Sequence, residues 1–251
     1  MLEVRNLYKS YKTGSKIYPV LHDVNISIND GEFVSIMGAS GSGKTTLLNC
    51  ISGFISYEKG EIILNGKRLK DLSEEEISVV RNENLGFVFQ DFMLLDGLTV
   101  FENICMPRII QNGDWRKMEK EANKLLEIFN ISEISDKFPV EISGGQKQRT
   151  AVARALINEP NIILADEPTG NLDSKSSESV IKSFIEVKKR LGVTVFMVTH
   201  DSIAASYCDR VIVMKDGRVF KEIINNGNRK EFLDKLLNIL KDLGGDNNDN
   251  E

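Results

Sequence analysis

The chain of 251 residues has no apolar run long enough to cross a bilayer. Its most apolar stretches, such as Val193 to Val198 and Ile162 to Ala165, fall far short of the roughly 18 to 20 residues required. A membrane function would therefore run through a partner. Cysteine is scarce: Cys50, Cys105 and Cys208 are odd in number, far apart and without C-x-x-C spacing, which excludes a disulfide framework and a cysteine zinc site. They read as reduced, buried, small apolar side chains of a cytosolic protein. Excess positive charge is missing too. With Lys+Arg 32 against Asp+Glu 37 the net charge is −5, so the chain lacks the basic surface that nucleic-acid phosphates attract, and no nucleic-acid partner is expected. The opening MLEVRNLYKSY holds no apolar signal core, so export is not expected.

What is present describes a soluble globular domain. Hydrophobic residues make up 41% and charged residues 27%, close to ordinary folded chains, which sets disordered and collagenous classes aside. Glu32 to Met37, Leu85 to Phe89, Ile162 to Ala165, Thr194 to Val198 and Arg210 to Met214 are apolar runs of strand length. Helical spacing separates them at Lys44 to Ser52, Val100 to Ile110, Trp115 to Phe129, Gln146 to Ile157 and Lys175 to Arg190. Alternation of this kind predicts a mostly parallel sheet covered by helices. The start of the chain differs. Leu2 to Tyr8, Val20 to Ile28 and Glu61 to Leu64, with turns at Asn29-Asp30-Gly31 and Asn65-Gly66, predict an antiparallel β layer. Helical periodicity from about 91 to 139 predicts a helical lobe, and leucines at helical spacing over 229–243 predict a terminal amphipathic helix ahead of a polar tail, 244–251.

Two glycine motifs carry the chemistry. Gly38-Ala39-Ser40-Gly41-Ser42-Gly43-Lys44-Thr45 fits G-x-x-x-x-G-K-[ST] between a strand and a helix, the context that this phosphate loop requires. Its glycines let backbone N–H groups and the helix N-terminus face phosphate oxygens, Lys44 neutralises the β and γ phosphates, and the Thr45 hydroxyl is a ligand for Mg²⁺. Beyond the apolar strand Ile162 to Ala165 stand two acids. Asp166 is a candidate for holding Mg²⁺ through water, and Glu167 for orienting and deprotonating an attacking water. The second glycine motif, Ser143-Gly144-Gly145-Gln146, opens a helix with Ser143 in the place of an N-cap, which makes a second anion site.

That second motif, in a chain with one phosphate loop, resembles the signature of the nucleotide-binding subunits of ABC transporters, and the likeness runs from about Leu2 to Gly217. The resemblance implies an α/β P-loop NTPase of the ABC-ATPase type over residues 2–228, with a RecA-like core, an antiparallel β layer and a helical lobe. It implies ATP binding by Gly38 to Thr46, with Ala39, Ser40, Gly41, Ser42 and Gly43 lining the loop and Thr46 following Thr45. Tyr11 matches the adenine-stacking aromatic, with Tyr8 and Tyr18 close by. Gln90 matches the Q loop, read as a Mg²⁺ contact and a link to the transmembrane partner, and Gly170-Asn171-Leu172-Asp173 matches the D loop. His200 matches the switch histidine at the γ-phosphate. Ser143, Gly144, Gly145 and Gln146 would then reach ATP held by the other subunit of a homodimer, and Glu167, His200 and Lys44 would carry hydrolysis. Two departures are visible: Ile142 stands where leucine usually begins the signature, and Asn171 where the D loop often has alanine.

The stretches MGASGSGKTTLLN, FQDFMLLDGLTV, EISGGQKQRT and MVTHDSIAASYCDRVIVMKDGRV look most similar to ATPase subunits of bacitracin-export (Bce-type) peptide-antibiotic resistance transporters, within the macrolide-export and lipoprotein-release branch. This implies an ATPase using ATP and Mg²⁺, held on the cytoplasmic face of the membrane by an integral permease, with a sensor kinase as a further partner through that permease. The alternative is an ATPase of a lipoprotein-release, macrolide-export or cell-division complex of the same branch. A GTPase would need an N/T-K-x-D guanine-reading element, which is not found.

Overall fold

The computed structural model describes residues 1–111 and 113–245; the expected polar tail lies, from Asp246 on, outside the described residues. In chain order the elements are β1 (Leu2–Thr13), β2 (Lys16–Ile28), β3 (Phe33–Gly38), α1 (Lys44–Ile51), β4 (Lys59–Leu64), β5 (Lys67–Arg68), α2 (Glu74–Asn84), β6 (Leu85–Val88), α3 (Val100–Ile110) and α4 (Trp115–Ile128). There follow α5 (Gly144–Leu156), β7 (Ile162–Asp166), α6 (Ser174–Leu191), β8 (Thr194–Val198), α7 (Ser202–Ala205), β9 (Arg210–Lys215), β10 (Arg218–Ile224) and α8 (Arg229–Gly245). The chain divides into two compact units. Met1–Leu72 with the chain from Phe196 onward forms one, and Ser73–Val195 the other.

In the first unit β1 lies between β2 and β4, antiparallel to both, and β4 pairs with β5, as the antiparallel layer was expected to do. Asn65 and Gly66 join β4 to β5 with φ of 50° and 78°, the paired left-handed geometry that suits the twist of a hairpin. β1 and β2 run further than their apolar residues indicate, to Thr13 and from Lys16. The segment KSYKTGSKIY is exposed over most of its length, so it has no core face to mark it as strand in sequence. β3 is buried at all six positions and pairs parallel with β9, from Val34 opposite Arg210 to Gly38 opposite Met214. Strands covered on both faces read as unbroken apolar runs, which is why both were legible. β10, absent from the expected elements, folds back antiparallel on β9. In α8, Phe232, Leu236 and Ile239 are buried at helical spacing, and the Arg229 guanidinium stacks 3.5 Å from the Tyr207 ring centroid.

In the second unit β6 and β7 pair in parallel, from Leu85 opposite Ile162 to Val88 opposite Ala165. α5 packs on β6 and is flanked by α3, α4 and α6. α2 also escapes the apolar reading because of its residues only Val80 is buried. Its start is nevertheless written in Ser73-x-x-Glu76, where each side chain bonds the other's backbone N–H. β8 carries the chain from this unit back into the first. All three cysteines are free and buried, and burial pushes the Cys50 thiol up to about 12 and the Cys105 thiol up to about 11, so neither is a thiolate nucleophile.

At the start of β9, Arg210 gathers the first unit's polar seam. Its guanidinium donates to Glu32 (2.7 and 3.1 Å), to Glu222 (2.7 Å) and to the Ser27 carbonyl (2.5 Å). Burial alone would lower its pKa; the bonds to Glu32 and Glu222 outweigh this and raise it, so the group stays charged. Replacing Arg210 with Met leaves Glu32, whose side chain is 15% exposed, without its guanidinium. Stranding a fully buried charge costs about 3–5 kcal/mol; with solvent reaching both acids, about 2–3 kcal/mol is expected here. Urea denaturation of Arg210→Met measures it, and a loss below about 0.5 kcal/mol would deny the seam its structural weight.

Candidate functional site

The first unit presents the phosphate loop. β3 ends at Gly38, and the chain turns through Ala39, Ser40 and Gly41, all exposed, before Gly43 (φ 96°) stands as N-cap to α1. Glycine is required at position 38 on steric grounds: a Cβ there would lie 2.3 Å from the Met214 carbonyl oxygen and 2.7 Å from Ser42 Oγ. Lys44 opens α1 and is 9% exposed; its Nζ donates to the carbonyls of Gly38 (2.8 Å) and Ala39 (2.9 Å). Ser42 Oγ is buried and, among the described residues, has no hydrogen-bond partner. An ammonium wrapped by its own loop, an orphaned hydroxyl and a helix N-terminus together form a cradle for an anion. Thr45, one residue on, is exposed, and Thr46 is half-buried.

Two further expected residues belong to this unit. Tyr11 sits on β1 directly opposite Tyr18 on β2, and Tyr8, Tyr11 and Tyr18 are 37%, 42% and 50% exposed, so all three rings offer a face to solvent. Lys9 Nζ lies 5.2 Å from the Tyr11 centroid. His200 is exposed just beyond β8, where Thr199 is anchored by its N–H to the Ile36 carbonyl (3.0 Å) and by its hydroxyl to the Asp201 N–H (3.0 Å). Asp201 spends its carboxylate on capping α7 at the Ile203 N–H, 2.8 Å away.

The second unit holds the two acids and the second glycine motif. β7 is buried through Ala165, and Asp166 and Glu167 emerge half-buried at its end. Glu167 has φ of 46°, a left-handed conformation that costs a non-glycine residue about 1–2 kcal/mol, and strain of this kind gathers at working sites. Ser143 caps α5, accepting from the Gln146 N–H (3.3 Å) while Gln146 Oε1 accepts from the Ser143 N–H (2.9 Å). Gly144 and Gly145 form the first turn: a Cβ on Gly144 would lie 3.2 Å from Leu172, and one on Gly145 would lie 3.0 Å from Ser176 Oγ, so the motif lies against the start of α6. Asp173 caps that helix through the N–H groups of Lys175 and Ser176 (3.0 Å each), and hydrogen bonds from the Ser176 hydroxyl and backbone hold its carboxyl below the usual range.

Gln90 follows β6 and is exposed. Three residues brace the loop around it: Gln148 and Arg154, to which the sequence reading gave no role, and Asn171, which it noted only as a departure in the D loop. Gln148, fully buried on α5, donates from Nε2 to the carbonyls of Pro168 (2.7 Å) and Phe89 (3.2 Å), joining the segment after Glu167 to the segment before Gln90. Arg154, six residues further along the same helix, donates to the carbonyls of Phe92 (2.8 Å) and Met93, both at positive φ. Asn171 bonds Gln90 and Asp91 directly. The available signal was a glutamine on the buried stripe of a helix, a place where an apolar residue is the ordinary choice.

The residues 21–170 match the family model described as ABC transporter. The chain is 45% identical to the ABC transporter ATP-binding protein YxdL of Bacillus subtilis, covering 99% of this chain and 96% of that one. It is also 45% identical to the bacitracin export ATP-binding protein BceA of Halalkalibacterium halodurans, covering 99% of each. Among solved structures, the ATP-binding cassette MJ0796, a dimer in a post-hydrolysis state bound to ADP and Pi, superposes with a TM-score of 0.82 at 40% identity, covering 90% of this chain and 100% of that one. The chain therefore belongs to the ABC transporter family, with the fold of its ATP-binding cassettes, and is an ATPase subunit of such a transporter.

Proposed function

We propose that this ATPase powers a membrane permease that confers resistance to cell-wall-active peptide antibiotics of the bacitracin type, working as a homodimer bound to the permease at the cytoplasmic face of the membrane. The observation that carries this reading is the likeness along the whole length of both chains to a bacitracin export ATP-binding protein. No helix among the described residues is long and apolar enough to cross a membrane, which fits a subunit that acts through a membrane partner. A sensor kinase reached through the same permease belongs to the same reading.

In this reading the anion cradle of Gly38 to Thr46 takes the ATP phosphates, with Lys44 turning from its own loop carbonyls to the β and γ oxygens, and Tyr11 stacks on adenine. The donor set suits Mg²⁺: the Thr45 hydroxyl, the Asp166 carboxylate and the Gln90 amide oxygen are hard oxygen donors. Among the described residues no group of three His, Cys, Asp or Glu could cage a cation, as expected where phosphates and water supply most ligands. Bound Mg²⁺ would neutralise charge on the phosphate oxygens. Glu167, pre-set by its strained backbone, takes the proton of a water whose oxygen bonds to the γ phosphorus as the bond to the β–γ bridging oxygen breaks, releasing ADP and phosphate. His200 contacts the γ-phosphate. The partner subunit's Ser143, Gly144, Gly145 and Gln146 close over it, with Asp173 nearby in the D loop.

Two measurements test this. Glu167→Gln should still bind ATP, accumulate as an ATP-bound dimer by size exclusion, and lose turnover by about 100-fold or more; retained turnover removes Glu167 from the role of base. With its permease reconstituted in vesicles, the wild-type complex should hydrolyse ATP about two- to ten-fold faster when bacitracin or a lantibiotic is added, a shift of roughly 0.4–1.4 kcal/mol in the coupled step. Stimulation by a macrolide or a lipoprotein instead would move the assignment to the alternative members of this branch.

A further inference from the structure

The D loop of this chain carries Asn171 where alanine is frequent, and its side chain does something that an alanine cannot. Asn171 Nδ2 donates to Asp91 Oδ1 (2.7 Å) and to the Gln90 backbone carbonyl (3.3 Å), while Asn171 Oδ1 accepts from Gln90 Nε2 (3.1 Å). The chemistry of the partners settles both amides. A carboxylate and a carbonyl only accept, so the Asn171 NH₂ must face Asp91 and the Gln90 backbone. Its oxygen must then face Gln90, and only the NH₂ of Gln90 can meet an oxygen. Gln90 Oε1 is thereby turned away from Asn171, and among the described residues it makes no hydrogen bond. That oxygen is the one atom of the side chain able to ligate a cation.

The amide is also confined sterically. A Cβ on Gly170 would lie 2.8 Å from Gln90 Nε2 and 3.0 Å from its Cδ, so the D-loop backbone is pressed against the glutamine side chain. Beneath both loops Gln148 ties the carbonyls of Phe89 and Pro168 to one buried amide. The two loops thus meet at side chain, backbone and base.

We propose that Asn171 is a positioning residue for Gln90: its amide reads the fixed acceptors Asp91 Oδ1 and Gln90 O and passes that orientation on, holding the Gln90 side-chain oxygen in the pose for Mg²⁺. This rests on the reading of Gln90 as a Mg²⁺ contact given above. Without Asn171 the Gln90 amide is free to turn end for end, and the wrong end, an NH₂, repels a cation.

The test uses the full chain in two readouts. In nucleotide-free protein, NMR of the Gln90 side-chain amide should show its protons exchanging more slowly with water in wild type than in Asn171→Ala. In equilibrium binding of a non-hydrolysable fluorescent ATP analogue, the Mg²⁺ concentration at half-maximal binding should rise by roughly 3- to 10-fold in Asn171→Ala, the weight of one hydrogen bond. Asn171→Asp keeps an acceptor facing the Gln90 NH₂ but sets two carboxylates together, so it should move the midpoint less than Asn171→Ala; adding Asp91→Asn turns that repulsion into a hydrogen bond and should restore the wild-type midpoint. In a Gln90→Ala background the Asn171→Ala change should have no further effect. A midpoint unmoved by Asn171→Ala, full additivity with Gln90→Ala, or failure of the paired exchange to restore it overturns the role of Asn171. If Gln90→Ala itself leaves the midpoint unchanged, the reading of Gln90 is what falls.

Discussion

The first unit is organised around one ammonium group. Lys44 is 9% exposed, and a buried cation is tolerable only where oxygen dipoles surround it, here the carbonyls of Gly38 and Ala39. For those carbonyls to face their own helix, the chain must fold back within six residues, which calls for φ values of 79° at Gly41 and 96° at Gly43 and leaves no room for a Cβ at Gly38. The same turn must begin from a fixed point. β3 provides it by being buried at every position and paired in parallel with β9, whose Met214 carbonyl forms the wall behind Gly38. The arrangement is preorganised in the sense that matters for an anion: the desolvation of Lys44 is met during folding by weak neutral dipoles that phosphate oxygens can replace.

The second unit solves a different problem, which is to hold several short loops in register without a ligand. Its loops after β6 and β7 carry strained residues, with positive φ at Phe92, Met93 and Glu167, so each would relax if left to itself. α5 prevents this. Gln148 and Arg154 reach from one helix to the carbonyls of Phe89, Phe92, Met93 and Pro168, so the helix that opens with Ser143 also fixes the surroundings of Gln90 and Glu167. Displacing the first turn of α5 therefore shifts the supports of both loops, because a packed helix moves as a body.

Much of this was legible in sequence, for identifiable reasons. Val100 to Ile110 and Thr194 to Val198 were read at the limits the structure has, since a cap or a buried run marks their ends. Ser143 was legible as a cap because a serine before two glycines and a glutamine can satisfy backbone N–H groups in few other ways. The hidden parts share one property, the absence of an apolar face. The tips of β1 and β2 project into solvent, α2 buries only Val80, and β10 is exposed or half-exposed along its length. These elements are maintained by hydrogen bonds to neighbours that are distant in sequence or by caps, which hydrophobic periodicity does not register.

The bracing residues were hidden for a further reason. A polar side chain gains its meaning from partners, and those of the buried Gln148 lie 59 and 20 residues away, those of the exposed Asn171 81 and 80. No local pattern encodes such a pairing. Energetically, though, Gln148 differs from the apolar core around it: a buried amide that loses one partner keeps the desolvation cost and forfeits the bond, so intermediate positions of the loops are penalised and the supported position is favoured sharply. An apolar brace of equal size would hold the loops nearly as well on average but would let them slide. For loops that must hold strained residues at one place, the polar brace is the better device, and this is the physical reason that the buried amide of Gln148 joins the segments beside Gln90 and Glu167 where leucine would pack as closely.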